Sequence, residues 1–526
     1  MERSYAPFLL ATALATFPSF SSETSQNPSL PVGDLYVDAA NGDDANDGTS
    51  WSEAKASIQA AIDIASEGAT IIVNDGRYTP ISTANKTLTI RSVNGSDFTI
   101  VDGGATNRCA TLGEIDQTNS CLYAFCLTNG AERHGGGSSG GTLEHCLISG
   151  NSAVSSGGGA LGGRFKDCTI VSNTAAYGGG VYEGSLTKCV IAKNSASKMG
   201  GGTYNATLDR CTVEGNTANS GGGICAGHAI DCTVTGNNAN NGGGGIHNAK
   251  LDYCFISGNE AKEYGGGDNA GTLNNCVLWK NKAGQGGGSY MGTLNNCTIV
   301  GNEAEEYGGG ASYAWLTNCI VWGNVAQSES AIDGATCRYC CLDDEDSGMG
   351  NIFVDPLFFD AENGDFRLRA GSPCINAGTN DTAGAYIDGT DFYRYPRLSG
   401  RRIDIGAAEA RWNYPVWAAA HGLGAPDVVT EGTPNLVRYV FDKPSGIFSP
   451  FTDFFFQDGA PVLSFQSFNS EIYDVSMSVL SSTNILDWSH AEVFSLPDPL
   501  PDGNILDILP RDAAPQRFYK FKVEEL

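Results

Sequence analysis

Positive charge is scarce in this chain: 31 lysines and arginines stand against 59 aspartates and glutamates, a formal net charge of -28. A surface of that sign repels phosphate backbones and anionic headgroups, which excludes nucleic acid and acidic membrane surfaces as partners. It also disfavours strongly acidic polysaccharides unless a divalent cation bridges the two. Charge of either sign is thin, at 17% of residues, and 69 glycines fill the gap. That is the composition of a turn-rich β protein, not of a disordered acidic tail. Past the N-terminal segment no run of about eighteen apolar residues occurs, so no membrane span is expected. Also missing are the i, i+3, i+4, i+7 apolar stripe of a helical repeat and the paired Cys-x-x-Cys motifs of a structural zinc site.

What is present is a period. Cysteines at 146, 168, 189, 211, 232, 254, 276, 297 and 319 are spaced by 21 or 22 residues, and each is followed five residues later by an asparagine, from Asn151 to Asn324. Two further on stands an alanine (Ala153 to Ala326), then a glycine triplet such as Gly178-Gly179-Gly180. A fixed period of this length marks a solenoid. Within a unit, Cys211 and Val213 are two apart and point to one side of a short strand. The matching positions Ile148, Ile170, Ile191, Ile256 and Ile299 are β-formers. Glycine supplies the backbone angles of tight corners. The reading is all-β: a right-handed parallel β-helix of about 22-residue coils, three short strands to a coil.

Stacked coils turn each repeated residue into a column. The cysteine column is expected to fill the core, because a thiol packs as a small hydrophobe. Cys126 would open that column and Cys340 or Cys341 would close it. Its members point the same way from parallel strands, a poor approach for a disulfide. Bridges are therefore considered only among Cys109, Cys121 and Cys126, or within Cys337–Cys341. The asparagine column is expected at an inward corner, its amides bonding along the stack.

The run Gly-Asn-x-Ala followed by Gly-Gly-Gly is similar to the repeats of chlamydial polymorphic membrane proteins, and more broadly to right-handed parallel β-helix repeat proteins. Tyr36-Val37-Asp38, Ile58-Gln59-Ala60-Ala61-Ile62 and Asp75-Gly76-x-Tyr78 resemble the start of secreted pectin-lyase-like proteins. Asp355-Pro356-Leu357-Phe358, Asn363-Gly364-Asp365-Phe366 and Gly371-Ser372-Pro373-Cys374-Ile375-Asn376-Ala377-Gly378 resemble the choice-of-anchor segment that follows bacterial β-helices. Cys374 stands where that family often has alanine. These resemblances imply an exported, extracellular or bacterial cell-surface protein on a fold that hosts lyases, hydrolases, adhesins and structural proteins alike.

The chain divides into a secretory signal peptide (1–22), an N-terminal cap with the first coils (23–105), the β-helix repeats (106–345), terminal coils with the anchor-type segment (346–410) and a small C-terminal β-rich module (411–526). A short amphipathic capping helix is expected over about 52–66 from the spacing of Ile58, Ala61, Ile62 and Ala65, with strands at Thr70–Val73, Thr87–Ile90 and Phe98–Val101.

Candidate ligand residues fall in two rows. If positions one and three after each column cysteine face outward, one wall is unusually apolar, with Phe255, Trp279 and Trp322 near its C-terminal end. Such a wall suits a sugar-binding surface or a docking site for a following module. A second row behind the glycine triplets runs Tyr182, Tyr204, Cys225, His247, Asn269, Tyr290 and suggests a polar, aromatic glycan groove. Asp43, Asp44, Asn46 and Asp47 cluster oxygen ligands in a glycine-ended loop, a candidate calcium site, although the same residues make ordinary turns. No cofactor other than that possible calcium is indicated. His228 and His247 stand isolated, the lysines are scattered, and no paired-carboxylate signature is complete, so catalytic residues are not assigned. The expected function is a non-catalytic scaffold for a polysaccharide or another cell-surface component. The alternative is a polysaccharide lyase or glycoside hydrolase, sited where the period fails.

Overall fold

The computed structural model describes residues 34–410, apart from 85, 114–119, 329, 344–347, 370, 381–388 and 398–401, together with strands between 429 and 525. The proposed signal peptide lies outside the described residues.

The repeats wind into a parallel β-solenoid with three walls of 24, 13 and 10 strands. One coil shows the plan. Thr203–Asp209 lies in the first wall, Thr212–Glu214 in the second and Thr217–Ser220 in the third. Each strand pairs in parallel with its counterpart one coil on, Leu208 with Ala229, Val213 with Val234 and Ala218 with Ala239. Alternation then decides burial. Leu186, Leu208 and Leu251 of the first wall and Ile191, Val213 and Ile256 of the second fill one continuous core. The third wall contributes buried alanines, Ala239, Ala261 and Ala283 packing as a cluster of their own.

The cysteine column is core, as its period implies. Cys146 to Cys319 are buried, and the backbone N–H of Cys189 donates to the Cys211 sulfur at 3.4 Å. Burial pushes the Cys168 and Cys276 thiols well up from the ordinary value, so they remain protonated. Cys340 closes the column, but Cys126 does not open it. Cys126 pairs with Leu147, the residue after a column cysteine, and Phe125 takes the inward place. All 17 cysteines are free thiols in this structure, including Cys109, Cys121, Cys126 and the Cys337–Cys341 group considered for bridges.

The asparagine column is an amide ladder. Asn194 Nδ2 donates to Asn216 Oδ1 at 3.0 Å and to the Ile170 carbonyl at 2.9 Å, while the Asn194 N–H donates to Asn216 Oδ1 at 2.9 Å. Both amide hydrogens and both oxygen lone pairs are used, and that lets a polar residue sit fully buried. The glycine triplets let coils approach. Gly178 has φ 59°, and a Cβ on Gly179 would lie 2.4 Å from the Ser195 carbonyl oxygen.

The capping helix is shorter than its periodicity suggests. Trp51–Glu53 is a single 3₁₀ turn and the α-helix covers Ile58–Ile64. Ser57 caps its start, accepting from the Ala60 N–H, and Lys86 Nζ donates to the carbonyls of Ile62, Asp63 and Ala65 at its end. Lys55 stays extended because it bridges to Val37, which keeps the helix from reaching back to 52. Beyond 429, two three-stranded antiparallel sheets form, one of them Glu492–Ser495, Val475–Ser482 and Phe518–Glu525.

Candidate functional site

After the last coil the chain turns back on the solenoid. Phe358–Asp360 and Asp365–Leu368 form an antiparallel hairpin, and this hairpin with Cys374, Phe392, Ile405 and Ala407 lies against the outer face of the second wall. Outward parity is as the sequence implies, yet this part of the wall is not open. Trp279 is only 8% exposed and meets Phe366 edge-on at 6.1 Å, while Phe255 packs against Trp279 and Phe392. Trp322 is half-buried against the same segment. Backbone bonds pin the cover: Gly406 N–H to the Asn318 carbonyl at 2.8 Å and Ala407 N–H to Thr298 Oγ1 at 2.9 Å. The docking element is thus the 358–410 segment, and a sugar could reach Trp279 only by displacing it. Phe366→Ala should lower stability by about 3 kcal/mol and red-shift tryptophan emission as Trp279 becomes wet, checked by urea titration followed by fluorescence.

The second row is one column, as its spacing implies: Tyr182, Tyr204, Cys225, His247, Asn269 and Tyr290 pair successively along the first wall. Its middle is sunk. Cys225 and Asn269 are buried, and His247 Nδ1 is enclosed without a hydrogen-bond partner, its pKa lowered by burial. The tyrosines therefore gather at two places. Tyr182 and Tyr204 stack in parallel at 5.1 Å, with Tyr177 edge-on to Tyr204. Tyr290 lies between Tyr264 at 4.7 Å and Tyr313 at 5.9 Å. Next to the second group Trp315 is 58% exposed, and Met291, Tyr307 and Tyr313 are exposed with it. Sequence reading missed Tyr264, Tyr313 and Trp315, because each lies off the row on a turn or a neighbouring strand.

A polar cluster sits on the same wall. His228 Nε2 lies 2.7 Å from Asp252 Oδ2, Lys250 Nζ is 3.4 Å from that oxygen, and Asn274 Nδ2 donates to Asp252 Oδ1 at 2.8 Å. His228 is therefore not isolated. It pairs with Lys250, 22 residues on and one coil away, and Asp252 follows on the same strand. That spacing was the available signal. Lys250, Thr272, Thr293 and Trp315 continue the column, so His228 stands four coils, about 19 Å, from the exposed tryptophan.

The proposed calcium ligands are used one by one. Asp43 accepts from the Ala45 N–H, Asp44 from the Ser57 hydroxyl and N–H, and Asp47 from Thr49, while Asn46 donates to the Ala54 carbonyl. Lys55 Nζ donates to the Asp44 carbonyl at 2.7 Å, filling the loop with an ammonium. Among the described residues no three His, Cys, Asp or Glu side chains are placed to hold a metal, and no helix is long and apolar enough to cross a membrane.

No known family profile matches this chain, and no curated protein is similar to it in sequence. Several solved structures are similar in outline. The pectate lyase Pel9A is 13% identical, with 72% of this chain and 96% of that one covered and a TM-score of 0.32. XylC in complex with xylose is 11% identical (62% and 87% covered, TM-score 0.34). The A-module of the mannuronan C-5 epimerase AlgE4 from Azotobacter vinelandii is 14% identical (56% and 91% covered, TM-score 0.32). The fold assignment rests on this chain's own strand register, and the activities of those proteins do not transfer to it.

Proposed function

We propose that this is an exported surface protein whose first wall binds an extended glycan without turning it over. The observation that carries the reading is the aromatic cluster of Tyr264, Tyr290, Tyr313 and Trp315, which spans the first wall and its edge with the third, exposes Tyr313 and Trp315, and lies away from the second wall that the 358–410 segment covers. Pyranose rings present flat C–H faces that pack on such rings, and nearby amides supply hydrogen bonds. Tyr264, Tyr290 and Tyr313 come from three successive coils, an extended arrangement that suits a linear polymer better than a compact ligand. The net charge of -28 favours a neutral polysaccharide, or an acidic one bridged by calcium. The 351–409 segment resembles choice-of-anchor regions, and we assign attachment to the residues after it. Affinity electrophoresis on neutral and acidic polysaccharides, with and without calcium, tests this. Tyr290→Ala and Tyr313→Ala should each weaken binding about tenfold or more, and Trp279→Phe should not. Undiminished binding by both tyrosine variants would reject the face.

The His228–Asp252–Lys250 cluster favours a second reading, an enzyme of the lyase or hydrolase class. Asp252 orients the imidazole, whose other nitrogen could take a proton beside a cation that holds an acidic sugar. Unsaturated or reducing ends released by the protein, and lost in His228→Ala, would establish it over the binding scaffold.

A further inference from the structure

We propose that Cys341 and Cys374 form a disulfide that fixes the 358–410 segment to the last coil. The two residues come from different elements. Cys341 lies on the outer face of the second wall, paired with Ile320, and Cys374 belongs to the segment folded over that wall. Both are fully buried in one apolar cluster with Ile320, Leu368 and Ile405, and the neighbouring Cys341 sulfur together with burial pushes the Cys374 thiol well up. Contact alone does not single them out, since neighbouring column thiols also touch. Their origin in different elements does. Column cysteines stand side by side on parallel strands, whereas Cys341 belongs to the wall and Cys374 to the segment laid over it, so no parallel strand register fixes their approach. The surroundings hold them there, with the Ile405 N–H donating to the Cys374 carbonyl at 3.0 Å and the Cys341 thiol donating to the Val354 carbonyl at 3.2 Å.

The chemistry needs an oxidant of the disulfide class, such as oxidised glutathione or an exchange enzyme of an oxidising compartment. Both S–H bonds break, one Sγ–Sγ bond forms, two protons leave, and the incoming disulfide is reduced to two thiols. Because both sulfurs are enclosed, closure belongs to folding or to transient lifting of the segment. The consequence is a redox-dependent cover over Trp279 and Trp322, independent of what the first wall binds.

The test refolds the chain in a glutathione redox buffer, alkylates remaining thiols under denaturing conditions and maps cross-links by mass spectrometry, with fragmentation between Cys340 and Cys341. The expected result is one cross-link, Cys341 to Cys374, with the column cysteines alkylated. Cys374→Ala and Cys341→Ala each abolish it, Cys340→Ala keeps it, and the oxidised protein resists limited proteolysis between 358 and 410 better than the reduced one. Far-UV circular dichroism confirms that the variants keep their β-structure. A cross-link within the column, one between Cys337 and Cys340, or none at all in the folded wild-type chain would overturn the proposal.

Discussion

Asn216→Ala is expected to destabilise the solenoid by about 3–6 kcal/mol, far more than an ordinary surface substitution. The side chain carries four bonds. Its oxygen accepts from the Asn194 N–H and from Asn194 Nδ2, and its amide nitrogen donates to the Ile191 carbonyl and to Asn237 Oδ1. Alanine leaves two buried donors without partners and removes the side-chain bond to the Ile191 carbonyl, in a place water cannot reach. Asn216→Asp should be comparably damaging, since a carboxylate keeps the acceptors, loses the donors and adds a buried charge. Thr217→Ala, one residue away and outward-facing, should stay within about 0.5 kcal/mol. Urea titrations of the three variants check this. A mild Asn216→Ala phenotype would mean that the ladder is decoration on a core held by the aliphatic columns.

Asp268→Asn is expected to stabilise the protein at pH 8 and to do little at pH 4. Asp268 occupies an inward position between Ile246 and Ser289, is fully buried, and has its pKa pushed up to about 7 by that burial. A carboxyl whose folded value is raised contributes most below its unfolded value, and the contribution is lost as pH rises through the folded value. The window here runs from about pH 4 to 7, and the displacement corresponds to about 4 kcal/mol at most. Asparagine is neutral throughout and preserves the contacts, accepting from the Gly271 N–H and donating to the Ser289 hydroxyl where Asp268 accepts from both. Asp391 and Asp404, each raised to about 6, tilt the wild-type profile the same way, so the difference between wild type and variant isolates Asp268. Thermal unfolding from pH 4 to 8 should show that difference growing with pH. A constant difference would mean that Asp268 is not the titrating group.

Much of the fold was legible because a solenoid writes each core contact many times. One coil is ambiguous, but nine cysteines and nine asparagines at a common step show which positions point inward. Legibility ended where repetition ended. Phe125 stands 21 residues before Cys146, on the period, but its side chain differs from the column's, so following the cysteines leads to Cys126 instead. The covering of Trp279 depends on a chain reversal after 357, so the outward aromatics were readable and their burial was not. The His228–Asp252 contact joins neighbouring coils, and it emerges only when the sequence is folded at its own 22-residue step. Tyr313 and Trp315 sit at a turn and on the next strand, where side-chain type varies from coil to coil.

The central claim is that the open first wall, and not the covered second one, receives a glycan. Carbene footprinting of the full chain with and without a polysaccharide it retains measures this most directly. The account predicts reduced labelling of Tyr264, Tyr290, Tyr313 and Trp315 on binding, with labelling of the 358–410 segment unchanged. Protection of that segment, or unmasking of Trp279 and Trp322 with the tyrosines unaffected, would contradict it.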